Sequence, residues 1–207
     1  MINRWTLSTT LALTMGSQAM ACDIDDAPVI TLDYGSRYQA DSKSRSEIDE
    51  VSNQQVTNAL KPIDKFIQNL AREANRALSD NDPEEAAAHA NCVVDNIARW
   101  AEAGALSDLV TFNARMSIGS RKTGIAMSLL QVADLTTSTE NLAVSNTWLA
   151  ELAQHEITFW EEEATFGSRR GNLRAWSTLG TAATAILTDD AELLEWSRNS
   201  AAFVLCT

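Results

Sequence analysis

Apolar residues recur at intervals of three and four along most of the chain after Val51, which is the spacing of amphipathic helices. The clearest stripe comprises Leu60, Ile63, Phe66, Ile67, Leu70, Ala74 and Leu78. The pattern predicts about six long helices that are joined by short loops and pack as antiparallel neighbours. The remaining segments offer no strand ladder, so the predicted fold class is all-α. An α-bundle and a toroid or solenoid of α/α hairpins both fit this set of helices.

Capping and breaking residues give the helix boundaries. The segment SDNDPEE, residues 79–85, ends the first helix and begins the second, because Pro83 suits a first helical turn. The second helix should stop near Gly104. The remaining helices are predicted over Leu106 or later to Leu135, loosened by Gly119 and Gly124, and over Asn141–Glu163, Leu173–Leu187 and Leu193–Leu205.

The N-terminus has the pattern of a secretory signal peptide over residues 1–21. Arg4 precedes a modest apolar run, and Ala19-Met20-Ala21 forms a small-x-small cleavage site. A buried N-terminal helix is the alternative, and Cys22 directly after the cut leaves lipidation as a minor possibility. We expect a periplasmic or secreted protein with no integral membrane segment after cleavage. An extended arm should cover residues 22–50, with a β-like run over 29–32, before a helical domain at 51–207.

The net charge of the chain is −12, whereas a nucleic-acid binder of this size should be basic. Two histidines and three cysteines show no metal-ligand spacing, and we expect neither a metal nor a cofactor. Three cysteines allow at most one intramolecular disulfide. We prefer Cys22–Cys92 because it would tie the arm to a helix, although the other pairings stay open. We expect a monomer.

A cationic cluster, RRGNLRAW, stands out in this acidic chain. Arg169 and Arg170 fall in a loop, Asn172 falls near a helix N-cap, and Arg174 falls one turn into the helix. A helix N-terminus attracts anions, and guanidinium groups bind carboxylates in pairs of hydrogen bonds. Trp176 could stack on a sugar ring. The motif therefore suits an acidic sugar.

The same cluster also has a plainer interpretation. Its arginines could simply pair with Glu161–Glu163 just upstream, while Asn172 serves only as a cap and Trp176 only as core. Two further polar clusters are candidates for binding. The first lies in the arm and comprises Arg37, Tyr38, Asp41, Arg45 and Asp49. The second lies ahead of an apolar helical run and comprises Arg121 and Lys122.

Several segments, taken in order, resemble the alginate lyase family, the mannuronate-acting polysaccharide lyases with an α/α toroid. SRYQADSKSRSEID resembles a family segment with Ser-Lys-Tyr, and NCVVDNIARWAEAGAL keeps a family Cys–Trp spacing at Cys92 and Trp100. GNLRAWSTLGTAATAILTDDAELLEW keeps the spacing of two family tryptophans. The family continues with an Arg and a catalytic Tyr beyond Thr207. The resemblance therefore implies an incomplete α/α toroid, built from antiparallel helix hairpins with an extended N-terminal arm.

The resemblance also implies a site and a reaction, the β-eliminative cleavage of a uronate polysaccharide. Asn172 matches a family Asn and is the candidate catalytic residue, whereas Leu173 stands where the family has a catalytic His, so we expect weak or no cleavage. A pairing of Cys22 with Cys92 is implied as well. The candidate substrate-binding residues are Arg37, Tyr38, Arg121, Arg169, Arg170, Arg174 and Trp176. The alternative is a non-catalytic periplasmic helical module that binds an anionic glycan or a protein partner.

Overall fold

The computed structural model describes residues 22–42 and 44–206, so the expected signal peptide lies outside the described residues. The described part contains seven α-helices and two strands of two residues each. In chain order they are β1 (Thr31–Leu32), α1 (Glu50–Ser79), α2 (Pro83–Glu102), β2 (Asp108–Leu109), α3 (Phe112–Ser117), α4 (Gly119–Val132), α5 (Thr139–Thr158), α6 (Asn172–Thr188) and α7 (Ala191–Leu205). The all-α prediction is confirmed.

The hairpins α1–α2 and α6–α7 flank α4 and α5. Helix α4 packs between α1 and α6, while α5 packs against α2 and α6 and touches α4 only slightly. Hairpins set side by side in this way make an arc of an α/α toroid, which confirms the predicted architecture. None of the helices between residues 22 and 206 combines the length and apolar character that a bilayer crossing requires.

The core between α1 and α2 centres on a stacked aromatic pair. The rings of Phe66 and Trp100 lie 3.8 Å apart at an interplanar angle of 4°, and both side chains are fully buried. Such a pair contributes about 1 kcal/mol beyond the burial of its apolar area. Trp100 Nε1 donates to the backbone oxygen of Asp26, 3.1 Å away, which joins the arm to this core.

The arm is held to the rest of the protein at several places. Cys22 and Cys92 form a disulfide, as predicted. The Asp26 carboxylate accepts a hydrogen bond from Asn69 and lies 2.8 Å from Lys65 Nζ. Farther along, β1 pairs with β2 in parallel. The expectation that no strands would pair is therefore wrong for this minimal ladder, because a two-residue partner strand is too short to show a periodic pattern.

The predicted third helix is also divided in the structure. The residues before α3 include β2 and Leu106, whose φ of 61° is left-handed. Thr111 then caps α3, and its side chain accepts from the backbone N–H of Ala114. A further break at Ile118 separates α3 from α4. Apolar periodicity continues across these breaks, so it could not reveal them.

Candidate functional site

A cavity of about 400 Å³ lies where the arm meets the N-terminal ends of α4 and α6; we call it the arm pocket. Val56, Leu60, Met116 and Leu173 supply its apolar wall. Its polar lining side chains are Tyr34, Ser36, Arg37, Tyr38, Arg45, Asn113, Ser117, Arg121 and Asn172. Four of the predicted site residues, Arg37, Tyr38, Arg121 and Asn172, are therefore brought together.

The arm reaches the pocket through a backbone loop that folds back on itself. Tyr38 and Ile48 form an antiparallel bridge, and the Asp49 N–H donates to the Arg37 carbonyl oxygen at 3.0 Å. Arg45 lies at the turn with a left-handed φ of 52°. The loop thereby places Arg37, Tyr38 and Arg45 on one side of the cavity, opposite α4 and α6.

Three arginines and no acidic residue line the arm pocket, in a chain whose net charge is −12. Arg121 makes a two-point ion pair with Asp64 of α1, with Nε 2.9 Å from Oδ1 and Nη2 3.2 Å from Oδ2. This pair fixes the orientation of the guanidinium group. Neither Arg37 nor Arg45 has an ion-pair partner among residues 22–42 and 44–206. Their charges are available to an anionic ligand.

Tyr34 adds a neutral hydroxyl group to the cavity wall. Its hydroxyl lies 2.7 Å from Ser117 Oγ, which in turn donates to the Asn113 carbonyl oxygen. The tyrosine hydroxyl is therefore the donor in its own bond. Burial is the largest influence on the pKa of Tyr34 and raises it above the usual value of 10, while Ser117 and the nearby arginines act weakly in the opposite direction.

Asn172 occupies the first position of α6 rather than its cap. Gly171 is the N-cap, and no side chain provides a capping hydrogen bond, so the expectation that Asn172 caps the helix is wrong. Its exposed amide lines the arm pocket instead. Leu173, beside it, lines the same cavity and packs against the buried Phe159 and Trp160, which accounts for an apolar residue at this position.

Arg174 points away from the arm pocket. Only 5% of its surface is exposed, and its guanidinium lies 2.6 Å from Glu161 Oε1 and 2.8 Å from Ser200 Oγ. The same group stacks over the ring of Phe203, with 4.9 Å between the guanidinium carbon and the ring centroid. This is the pairing with the upstream acidic run that the plainer interpretation of the sequence anticipated.

The other members of the cationic cluster also lie outside the lining of the arm pocket. Arg169 donates to the backbone oxygens of Glu161 and Ala164 and so ties down the loop before α6. Arg170 is exposed and lies over Phe166, 5.4 Å from its centroid. Trp176 is 47% exposed on the surface of α6. These residues lie close to Asn172 in the sequence, but in the structure only Asn172 is part of the lining of the arm pocket.

Residues 113–205 match the family model described as Alginate lyase. Over 165 residues the chain is 31% identical to a polysaccharide lyase of Stenotrophomonas maltophilia, covering 78% of this chain and 47% of that protein. It is 24% identical over 181 residues to an alginate lyase of Pseudomonas putida, covering 80% and 45%. The chain therefore spans about half the length of the curated relatives it matches.

The fold has a counterpart among solved structures. Alginate lyase A1-III from Sphingomonas species A1 superposes with a TM-score of 0.66 over 88% of this chain and 50% of that protein, at 16% sequence identity. At this identity the match supports the shared fold. The resemblance found in the sequence is confirmed.

Proposed function

We propose that this member of the alginate lyase family binds an acidic uronate polysaccharide in the arm pocket. The observation that carries the proposal is a cavity lined by three arginines and no acidic residue in a strongly acidic chain. Guanidinium groups match the geometry of carboxylates, and every sugar of a uronate polymer carries one. Tyr34, Ser117 and Asn113 supply neutral hydrogen-bonding groups for sugar hydroxyls.

The reaction that such a site supports is β-elimination. The uronate carboxylate is neutralised, a base takes the C5 proton, the released electron pair forms the C4–C5 double bond, and the C4–O bond breaks as the leaving oxygen takes up a proton. Arg37 and Asn172 supply the neutralisation, and Arg121, whose charge is already paired with Asp64, contributes to the positive wall beside them. Tyr34 is the protonated hydroxyl in the cavity wall, and it would donate to the leaving oxygen by exchanging its bond to Ser117 for one to the ligand. Leu173 does not titrate, so the pocket residues include no efficient base at neutral pH, and cleavage should be weak or absent.

The alternative function is a non-catalytic module that holds an anionic glycan. The apolar packing of Leu173 against Phe159 and Trp160 favours this alternative. For either function we propose that the protein works in the periplasm or outside the cell. The signal-peptide pattern of residues 1–21 and the Cys22–Cys92 disulfide both support export.

Binding is tested by titrating the protein with a purified mannuronate oligosaccharide in a calorimeter. Arg37→Gln removes a charge that has no ion-pair partner within residues 22–42 and 44–206. Its loss should weaken binding about tenfold, which corresponds to ~1.4 kcal/mol. Arg198→Gln is the matched control, because Arg198 is an exposed arginine on α7 outside the arm pocket. Native protein without measurable affinity, or equal effects of the two substitutions, would overturn the proposed site.

Cleavage is tested separately with polymannuronate, by following the ultraviolet absorbance of the unsaturated sugar ends. We expect little or no product from this chain. Robust product that is lost in Asn172→Ala would establish catalysis and exclude the binding-only alternative. Glycan affinity without product would favour the non-catalytic module.

A further inference from the structure

Lys122 is the neighbour of Arg121 in sequence, but it pairs with α5, whereas Arg121 pairs with α1. Its side chain is 1% exposed, and its ammonium group forms an ion pair with Glu156 of α5, whose side chain is 5% exposed. Neither residue lines the arm pocket, and the proposed binding of a uronate gives them no role. A buried charge pair of this kind needs a reason, because burying both ions carries a large desolvation cost.

The pair links three helices at one point. Glu156 Oε1 accepts a hydrogen bond from Ser177 Oγ of α6 at 3.2 Å, and Lys122 Nζ lies 3.4 Å from Thr181 Oγ1 on the same helix. Helix α4 begins against this junction, since a Cβ on Gly119 would lie only 2.7 Å from Glu156 Oε1 and 2.1 Å from Ser177 Oγ. The junction therefore leaves little freedom for α4 to slide along α6.

Stability alone does not account for the pair. Replacing a buried ion pair by apolar residues of similar volume is often neutral or stabilising. Hydrogen bonds and ion pairs are directional, whereas apolar contacts permit several similar packings. A polar junction at this place is thus suited to selecting one register of α4, α5 and α6.

We infer that Lys122 and Glu156 are positioning residues that fix the register of α4 against α6 and thereby set Arg121 and Asn172 for a uronate. Arg121 is adjacent to Lys122 on α4. Ser177, which bonds to Glu156, follows Asn172 by five residues on α6, about 7.5 Å along the helix axis. This inference rests on the proposed function, since the two positioned residues matter only if the arm pocket binds a ligand.

The test separates positioning from stability. The double variant Lys122→Met with Glu156→Leu removes both charges and keeps the volume. Its thermal midpoint should equal or exceed that of the native protein, while its affinity for the mannuronate oligosaccharide falls about tenfold. The double variant Lys122→Gln with Glu156→Gln keeps neutral hydrogen bonds across the junction and should restore the affinity to within about threefold of native. Native-like affinity of the apolar variant overturns the inference.

A milder variant keeps the test decisive if the apolar one does not fold. Ser177→Ala removes the hydrogen bond between Glu156 and α6, together with a bond to the Leu173 backbone oxygen, and should weaken binding about threefold. Ser145→Ala is the control, because Ser145 is equally buried within a helix and donates only to backbone oxygens of Asn141 and Val94. Equal affinities of these two variants would overturn the inference. If the native protein and Arg37→Gln both fail to bind, the proposed function fails instead.

Discussion

Removing the disulfide should cost this protein a large part of its stability. The substitutions Cys22→Ser and Cys92→Ala open a covalent loop whose ends are 70 residues apart in sequence. The chain-entropy relation for a loop of this length gives a loss of about 4.4 kcal/mol in the free energy of unfolding. Domains of this kind are typically stable by roughly 5–15 kcal/mol, so the loss would be between about three tenths and nine tenths of the total.

The assay is urea denaturation followed by circular dichroism and tryptophan fluorescence. Native and variant proteins should both carry Cys206→Ser, because Cys206 is a free and exposed thiol that could exchange with the disulfide. The dependence of the unfolding free energy on urea should increase, since an unlinked unfolded chain exposes more surface. The bonds from Asp26 to Lys65 and Asn69 remain, so affinity for the mannuronate oligosaccharide should stay within about threefold.

One result would refute this reasoning. A loss below about 1 kcal/mol would mean that the unfolded chain is already restricted without the disulfide, or that the bond opposes the folded geometry. In either case the arm would be held mainly by Asp26 and the β1–β2 pair. Reducing the native disulfide with a thiol should reproduce the effect of the substitutions, which serves as the control for damage by the new side chains.

Two further predictions concern the site and the helix junction. The pKa of Tyr34 is raised above 10 in the folded protein, so above pH 10 the unfolded state binds fewer protons and stability should fall as the pH rises towards the folded value. In Tyr34→Phe, the unfolding free energy measured by urea denaturation should fall less between about pH 9 and about pH 11 than in the native protein. An equal fall in the two proteins would contradict a raised pKa of Tyr34. Gly119→Ala should cost roughly 1–3 kcal/mol in thermal denaturation, because its new Cβ would lie 3.1 Å from the Ser177 backbone. Gly167→Ala has open space around it and should change stability by less than about 0.5 kcal/mol; equal losses would show that crowding is not the cause.

Helices α1 and α2 could be anticipated from the sequence because each has one buried face and a recognisable start. Pro83 and its cap Asp82 illustrate this, since they begin α2 as the local pattern indicates. The break before α3 could not be anticipated, because Leu106 is an ordinary apolar residue whose left-handed φ depends on tertiary packing. The break between α3 and α4 falls beside Gly119, where the sequence predicts a loosened helix. Local pattern therefore predicts elements better than the turns between them.

The candidate site was only partly accessible to sequence reasoning. Arg37 and Asn172 are far apart in the chain, and only the family resemblance placed them in one site. Arg174 is an arginine, the residue type that carboxylate binding needs, but its charge is neutralised by an ion pair with Glu161. Tyr34 carried no local signal that distinguishes it from a core residue, and its hydroxyl lies in the pocket only because Ser117 of α3 meets it there.

The arm and the helices contribute opposite walls of the arm pocket, and these walls come from separate stretches of the gene. We expect that the loop from Arg37 to Arg45 can change its length or charge without disturbing the packing of α4 on α6, because the contacts between these helices do not involve the loop. Ligand preference could thus diversify by exchange of a short N-terminal cassette while the helical layers are conserved. Chimaeras that graft arms from different relatives onto one helical body would turn this division into a route for redirecting specificity.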